Sequence, residues 1–158
     1  MTTPEMTDDT NKDDLSKLAW LLEQFATTVP GVKHCVLLAR DGLKLLHSEM
    51  DEARADKLSA GFCGLAALAQ RLPGPMDDQL PPQMVMIERP DGIFFCQGSG
   101  VSGLFRATRG NVDTLLAVIA EPDADSATIG YEMARLIDRF APYMMTRVRT
   151  AVPSDQTR

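Results

Sequence analysis

Val32-Lys33-His34-Cys35-Val36-Leu37-Leu38-Ala39, then Arg40-Asp41-Gly42, then Leu43-Lys44-Leu45-Leu46-His47-Ser48-Glu49: this stretch decides the fold. The first run is too short and too rich in apolar residues for an amphipathic helix, and it reads as a strand. Asp-Gly supplies the positive φ angles of a tight type I′ turn, so the second run is expected to fold back as a β-hairpin. Cys35 and Leu37 alternate with Val36 and Leu38, so both faces of the strand are apolar and both need cover. A sheet of this kind belongs in a three-layer sandwich with helices on each side.

Reading outward supplies the helices. Leu15, Leu18, Leu22, Phe25 and Val29 recur at helical spacing and stop at Pro30-Gly31. On the other side Asp51 is placed to cap a second helix reaching about Leu72, with Leu58, Phe62, Leu65, Ala69 and Leu72 as its core stripe. Pro73 to Pro82 reads as a loop, because proline lacks the backbone donor a helix needs. Strands follow at Gln83–Arg89 and Ile93–Gln97, joined by Pro90-Asp91-Gly92, and another at Thr114–Ala120. Asp125 or Ser126 caps a last helix with the stripe Ile129, Met133, Leu136, Ile137, Phe140 and Met144, which Pro142 should kink or end. The predicted order is α-β-β-α-β-β-β-α, an α+β fold with a five-stranded, mainly antiparallel sheet. Residues 1–11 read as a disordered leader, 12–150 as a single domain and 151–158 as a tail.

Composition narrows the function. The 158 residues carry 16 basic and 22 acidic side chains, a formal net charge of −6, and 44% are apolar. Such a chain has room for one real core and repels nucleic acid and anionic lipid. No apolar run approaches the roughly 20 residues that span a bilayer, so direct membrane insertion is not expected. The polar, acidic start from Met1 to Asp14 does not resemble a secretory signal. Cys35, Cys63 and Cys96 lie in apolar segments without C-x-x-C spacing, which suits free thiols in a reducing cytoplasm.

Signals for chemistry are weak. Gly98-Ser99-Gly100-Val101-Ser102-Gly103 has the G-x-G-x-x-G spacing of a dinucleotide loop, with Glu121 ending the next strand. However, the space to Gly110 is too short for a crossover helix and the strands are antiparallel, so a flexible hairpin connection is the better account. No G-x-S-x-G elbow occurs, and Cys63 has no nearby base in sequence. His34 and His47 are expected to face each other across the hairpin, too little for an acid–base couple or a zinc site. Arg135, Arg139, Arg147 and Arg149 make the C-terminal end basic: a solvated face, or a dock for an acidic partner. No catalytic residue, cofactor site or metal site is assigned.

The second helix is the informative element. Opposite its stripe lie Ala60, Gly64 and Ala67, with Gly61 and Cys63 beside them. Two glycines inside a helix cost about 1 kcal/mol each against alanine, so close approach of another helix is the natural reason for them. Met84-Val85-Met86-Ile87 is similarly greasy and hazardous at a sheet edge unless something pairs with it. Both features point to a dimer interface.

Several stretches together resemble one family. They are Leu18-Ala19-Trp20-Leu21-Leu22 with Phe25, Pro30-Gly31-Val32 with His34, Asp41-Gly42-Leu43, Glu121-Pro122-Asp123-Ala124-Asp125, and Gly130-Tyr131-Glu132-Met133. In this order, over Asp13 to Arg147, they resemble the Roadblock (dynein light chain) family, especially its bacterial members. Ser99 to Asp113 is longer than the family's usual link. The resemblance implies the profilin/longin-like sandwich and a non-enzymatic homodimer in which second helices pack together and third strands join. It further implies an adaptor or regulator of a Ras-like small GTPase, with stimulation of GTP hydrolysis as the sharper form. Arg54 and Lys57 are then candidate contacts to the GTPase, and a membrane sensor-kinase-like protein a candidate recruiter of this cytoplasmic protein to the membrane. The alternative is a small-molecule-sensing module on a related sandwich.

Overall fold

A computed structural model describes residues 5–105 and 110–145. In chain order the elements are α1 (Glu5–Thr28), β1 (Val32–Ala39), β2 (Lys44–His47), α2 (Glu52–Gln70), β3 (Met84–Arg89), β4 (Gly92–Ser102), β5 (Val112–Ala120) and α3 (Ser126–Met144). The strands form one sheet in the order β2-β1-β5-β4-β3, and every neighbouring pair is antiparallel. The expected order and sandwich are therefore those of the structure.

The deciding hairpin forms with a different turn. Only Gly42 takes a positive φ, at 97°. Its N–H donates to the Ala39 carbonyl at 2.9 Å, the Ala39 N–H donates to the Leu43 carbonyl at 2.9 Å, and Leu43 N–H donates to Asp41 Oδ1 at 3.0 Å. This is a three-residue connection with one left-handed glycine rather than a type I′ turn with two positive φ angles. The extra loop residue and the register shift at Leu37/Leu38 offset each other, so Val36 lies opposite His47, the pairing that counting back from a two-residue turn at Asp41-Gly42 also gives, and His34 and His47 do not face each other.

Cover arrives on both faces. Against one face α1 and α3 bury Leu18, Leu22 and Phe25 with Met133, Leu136 and Phe140 over Cys35, Leu37, Leu116 and Val118. Against the other, α2 brings Phe62 and Ala66 to Val36, Leu38, Cys96, Leu115 and Ala117. Each fully buried Leu or Phe contributes about 1.5–3 kcal/mol, so the two-helix layer is the stronger anchor.

Other boundaries moved for identifiable reasons. Residues 5–11, read as a leader from their polarity, continue α1 outward; propagating a docked helix is far easier than nucleating one. Pro142 lies inside α3, which reaches Met144. The last turn is held by the buried Met144 side chain and by its carbonyl, which accepts from Ser102 Oγ at 2.7 Å and Gly103 N–H at 3.3 Å. The stretch Gly98–Ser102 is not a loose connection, because it extends β4 against β5 past a bulge between Gly98 and Gly100. Ser99 Oγ and Thr114 Oγ1 lie 2.6 Å apart across that bulge, and Thr114 Oγ1 donates to the Gly100 carbonyl at 2.7 Å. No helix begins there, so the glycine spacing is a strand irregularity and not a phosphate cradle.

Two of the distant motifs meet. Glu121 N–H donates to the Gly31 carbonyl at 2.8 Å, and Lys33 pairs with Glu121 at 2.9 Å. Gly31 has φ +86°, and a Cβ placed on it would lie 2.6 Å from Ala124 Cβ. Gly31→Ala is therefore expected to destabilise the fold by about 1–3 kcal/mol through left-handed strain and collision. Urea unfolding should show a lower midpoint at unchanged slope; an unchanged midpoint would contradict this packing.

Candidate functional site

The buried side of α2 sets one large residue, Phe62, among small ones. Ala55, Ser59, Phe62 and Ala66 face the sheet, spaced by four, three and four. Ser59 Oγ is satisfied by donating to the Ala55 carbonyl at 2.8 Å. The expected stripe of Leu58, Phe62, Leu65, Ala69 and Leu72 is thus rotated: Leu58, Leu65 and Ala69 are only half-buried, and Leu72 is 70% exposed beyond the helix end. Small residues let the helix lie close on the sheet, which turns its larger side chains outward. Asp51 stands at the N-cap position but its side chain makes no capping bond.

The outer side carries the residues singled out from sequence. Ala60, Gly61, Gly64 and Ala67 are all exposed, and a Cβ placed on Gly61 or Gly64 would meet nothing within 4 Å. Leu68 continues the stripe at 63% exposure. Beside this helix runs β3, an edge strand that among the described residues pairs with β4 alone. Its residues alternate: Met84 and Met86 are exposed, while Val85 and Ile87 are half-buried and pack with the α2 layer. All eight proposed interface residues therefore belong to α2 and its neighbouring edge strand.

Between α2 and β3 lies an open groove of about 280 Å³ lined by Lys57, Gly61, Phe62, Leu65, Ile87 and Phe94. Phe62 and Phe94 rings stand 6.4 Å apart, and the Arg89 guanidinium lies 4.7 Å from the Phe94 ring centroid. Arg89 also pairs with Asp91, holding that carboxyl below its ordinary range. Apart from the Lys57 and Arg89 rim, the walls are apolar, so the groove lacks the convergent polar groups of a small-molecule site. The sequence reading missed Leu68, Arg89, Phe94 and this groove. Leu68 was legible in principle, since it lies seven residues after Gly61 and on the same stripe.

The partner candidates Arg54 and Lys57 are both exposed. Arg54 lies near enough to His34 to help hold its imidazole below the ordinary value; burial is the larger cause and Lys33 a lesser one. His47 instead joins an ionic cluster linking β2 to α2, with Nε2 3.1 Å from Glu52 Oε1. Lys44 pairs there with Glu52 and, at 3.0 Å, with Asp56. Elsewhere Arg135 and Arg139 edge a shallow polar depression between α1 and α3, where Arg135 lies 3.4 Å from Glu132. Arg147, Arg149 and the expected tail 151–158 lie outside the described residues. Among the described residues no three metal-ligating side chains converge, and no helix is long and apolar enough to cross a membrane.

Two of the cysteines, Cys35 and Cys96, are made unreactive by burial. Burial pushes the Cys35 thiol up to about 12 and Cys96 to about 11, and Cys63 Sγ donates to the Arg40 carbonyl at 3.0 Å. At pH 8, iodoacetamide is expected to spare Cys35 and Cys96 in the folded protein and to label them only after denaturation. Peptide mass spectrometry checks this; native labelling of Cys35 at a free-thiol rate would contradict it.

Comparison with known proteins places this geometry. A Roadblock/LC7 domain model matches residues 18–120. A solved Roadblock/LC7 domain from Streptomyces avermitilis is 31% identical, with 79% of this chain and 95% of that chain aligned at a TM-score of 0.66. The gliding protein MglB from Thermus thermophilus shares the fold at 16% identity, covering 83% of this chain and 90% of that one, TM-score 0.66. Myxococcus xanthus MglB does so at 11% identity, covering 80% and 94%, TM-score 0.61. No curated protein sequence matches.

Proposed function

Because this chain belongs to the Roadblock/LC7 domain family, we propose that it is a non-enzymatic homodimeric adaptor that regulates a Ras-like small GTPase. The observation that carries the reading is the outer surface of α2 and β3. A helix with an exposed small-residue stripe stands beside an edge strand whose backbone groups have no second partner strand among the described residues. An exposed apolar edge is an aggregation hazard in a monomer and is relieved by a second copy. Twofold pairing of β3 with its counterpart makes one continuous sheet and sets the two α2 helices side by side.

The regulatory half of the reading rests on family membership and on charge. The sequence has no G-x-x-x-x-G-K-[ST] phosphate loop, so the chain acts on a GTPase and is not one. Arg54 and Lys57, exposed at the start of α2, are placed to meet acidic switch residues. A regulator of the switch must bind the GTP and GDP states unequally, since equal affinity shifts nothing. The dimer prefers the GTP-loaded form and acts by ordering the GTPase's own catalytic residues; no arginine here sits in a motif that marks a finger. The site of action is the cytoplasm, with a membrane sensor-kinase-like protein as the recruiter.

Two experiments test this. Overpacking costs about 1–3 kcal/mol per site and acts twice in a twofold dimer, so Gly64→Leu should shift the protein towards monomer in light scattering. Titration of a candidate Ras-like small GTPase, loaded with GDP or a non-hydrolysable GTP analogue, should show tighter binding to the GTP form. Arg54→Glu with Lys57→Glu should weaken that binding by roughly tenfold. Equal affinities with unchanged turnover would leave a passive scaffold, and absence of binding in both states would remove the GTPase reading.

A further inference from the structure

The groove between α2 and β3 and the exposed Leu68 are complementary features of the same surface. Resting on the homodimer reading above, we infer that Leu68 of each copy fills the groove beside Gly61 of the other. The Gly61–Leu68 pair then decides which copies can pair. Three observations lead there.

The first is charge. From Leu58 to Ala69 the helix carries no charged residue, although the chain as a whole is −6. Two like-charged copies approach most readily through such a neutral stretch, and depletion of charge marks the centre of interfaces. A groove with apolar walls also calls for an apolar occupant.

The second is strand register. If both α2 helices are to lie on one face of a joined sheet, the twofold axis must pass through a residue of β3, because side chains alternate with period two. Centring on Met86 sets Val85 opposite Ile87 of the second copy, apolar against apolar on the α2 face. Centring on Ile87 would instead oppose Val85 with Arg89, and centring on Val85 would oppose Ile87 with Gln83.

The third is the position of the groove along the helix. Ile87 and Arg89 border it with Lys57 and Gly61, so the first half of α2 lies over the later half of β3. The twofold therefore brings the second half of the other helix over the groove, antiparallel and crossing near Gly64. With Gly64 facing its counterpart, residue 60 faces residue 68, and Leu68 meets Ala60 and Gly61. Leu68 is 63% exposed and otherwise unburied, and the space outside Gly61 is open. Symmetry repeats the contact, giving two knobs and two holes in one isologous interface.

The test is a knob-and-hole exchange read by analytical ultracentrifugation over a concentration series, with circular dichroism to verify folding. Gly61→Leu places a better helix former in open space, so the single chain keeps its fold. It also fills the hole, and dimer affinity should fall at least a hundredfold. Leu68→Ala should weaken the dimer about tenfold. The double variant Gly61→Leu/Leu68→Ala should recover to within tenfold of wild type, and mixing the two single variants should give a heterodimer tighter than either homodimer. If wild type dimerises but Gly61→Leu leaves affinity unchanged, or the double variant is no better than Gly61→Leu alone, the knob-and-hole pairing is overturned while the homodimer stands. A wild type that stays monomeric at tens of micromolar overturns both.

Discussion

The pairing of β1 with β5 is the constraint on which everything else rests. Leu37 lies opposite Leu116 and Leu38 opposite Leu115, and all four are almost wholly buried. Because successive side chains point to opposite faces, this one ladder places leucines on both sides of the sheet. Neither side tolerates water. Two helices are recruited to one face and one to the other, and each helix is amphipathic only to the extent that its face requires.

The asymmetry of that cover creates the candidate surface. A five-stranded sheet is wider than one helix, so α2 alone leaves a flank open at the β3 edge. On the opposite face α1 and α3 cover the inner strands and leave Met84 and Met86 exposed. The single-helix side also needs close approach, which selects Ala55, Ser59 and Ala66 for contact with the sheet. With those positions taken by small residues, the leucines at 58, 65 and 68 fall on the flank and the outside. An open groove, an exposed stripe and an unpaired edge are thus three consequences of one geometric shortage.

Much of this was legible in the sequence. The β1 bounds follow from a dense apolar run ended by Gly31 and Arg40-Asp41-Gly42, and the α1 and α3 stripes follow from helical spacing. Ala60, Gly61, Gly64 and Ala67 stood out because glycine in a helix lacks a local reason. Size alone misplaces the stripe of α2, because around Phe62 the helix turns Ala55, Ser59 and Ala66 to the sheet and its leucines to the flank. The turn type and the strand at Gly98–Ser102 depend on a bulge and on pairing with β5, which no local pattern records; the Val36–His47 pairing, by contrast, follows from counting back from Asp41-Gly42.

What the sequence by itself determined was the fold and the family: alternation within strands, periodicity within helices and the spaced turn motifs are local properties written along the chain. The tertiary structure alone decided which face of α2 is free, that Lys57, Gly61 and Phe62 share a groove with Ile87 and Phe94, and that Gly31 sits against Ala124. Those juxtapositions join residues tens of positions apart. Their distances are set by how closely helices and strands pack, and packing distance is a property of the assembled chain and not of any segment of it.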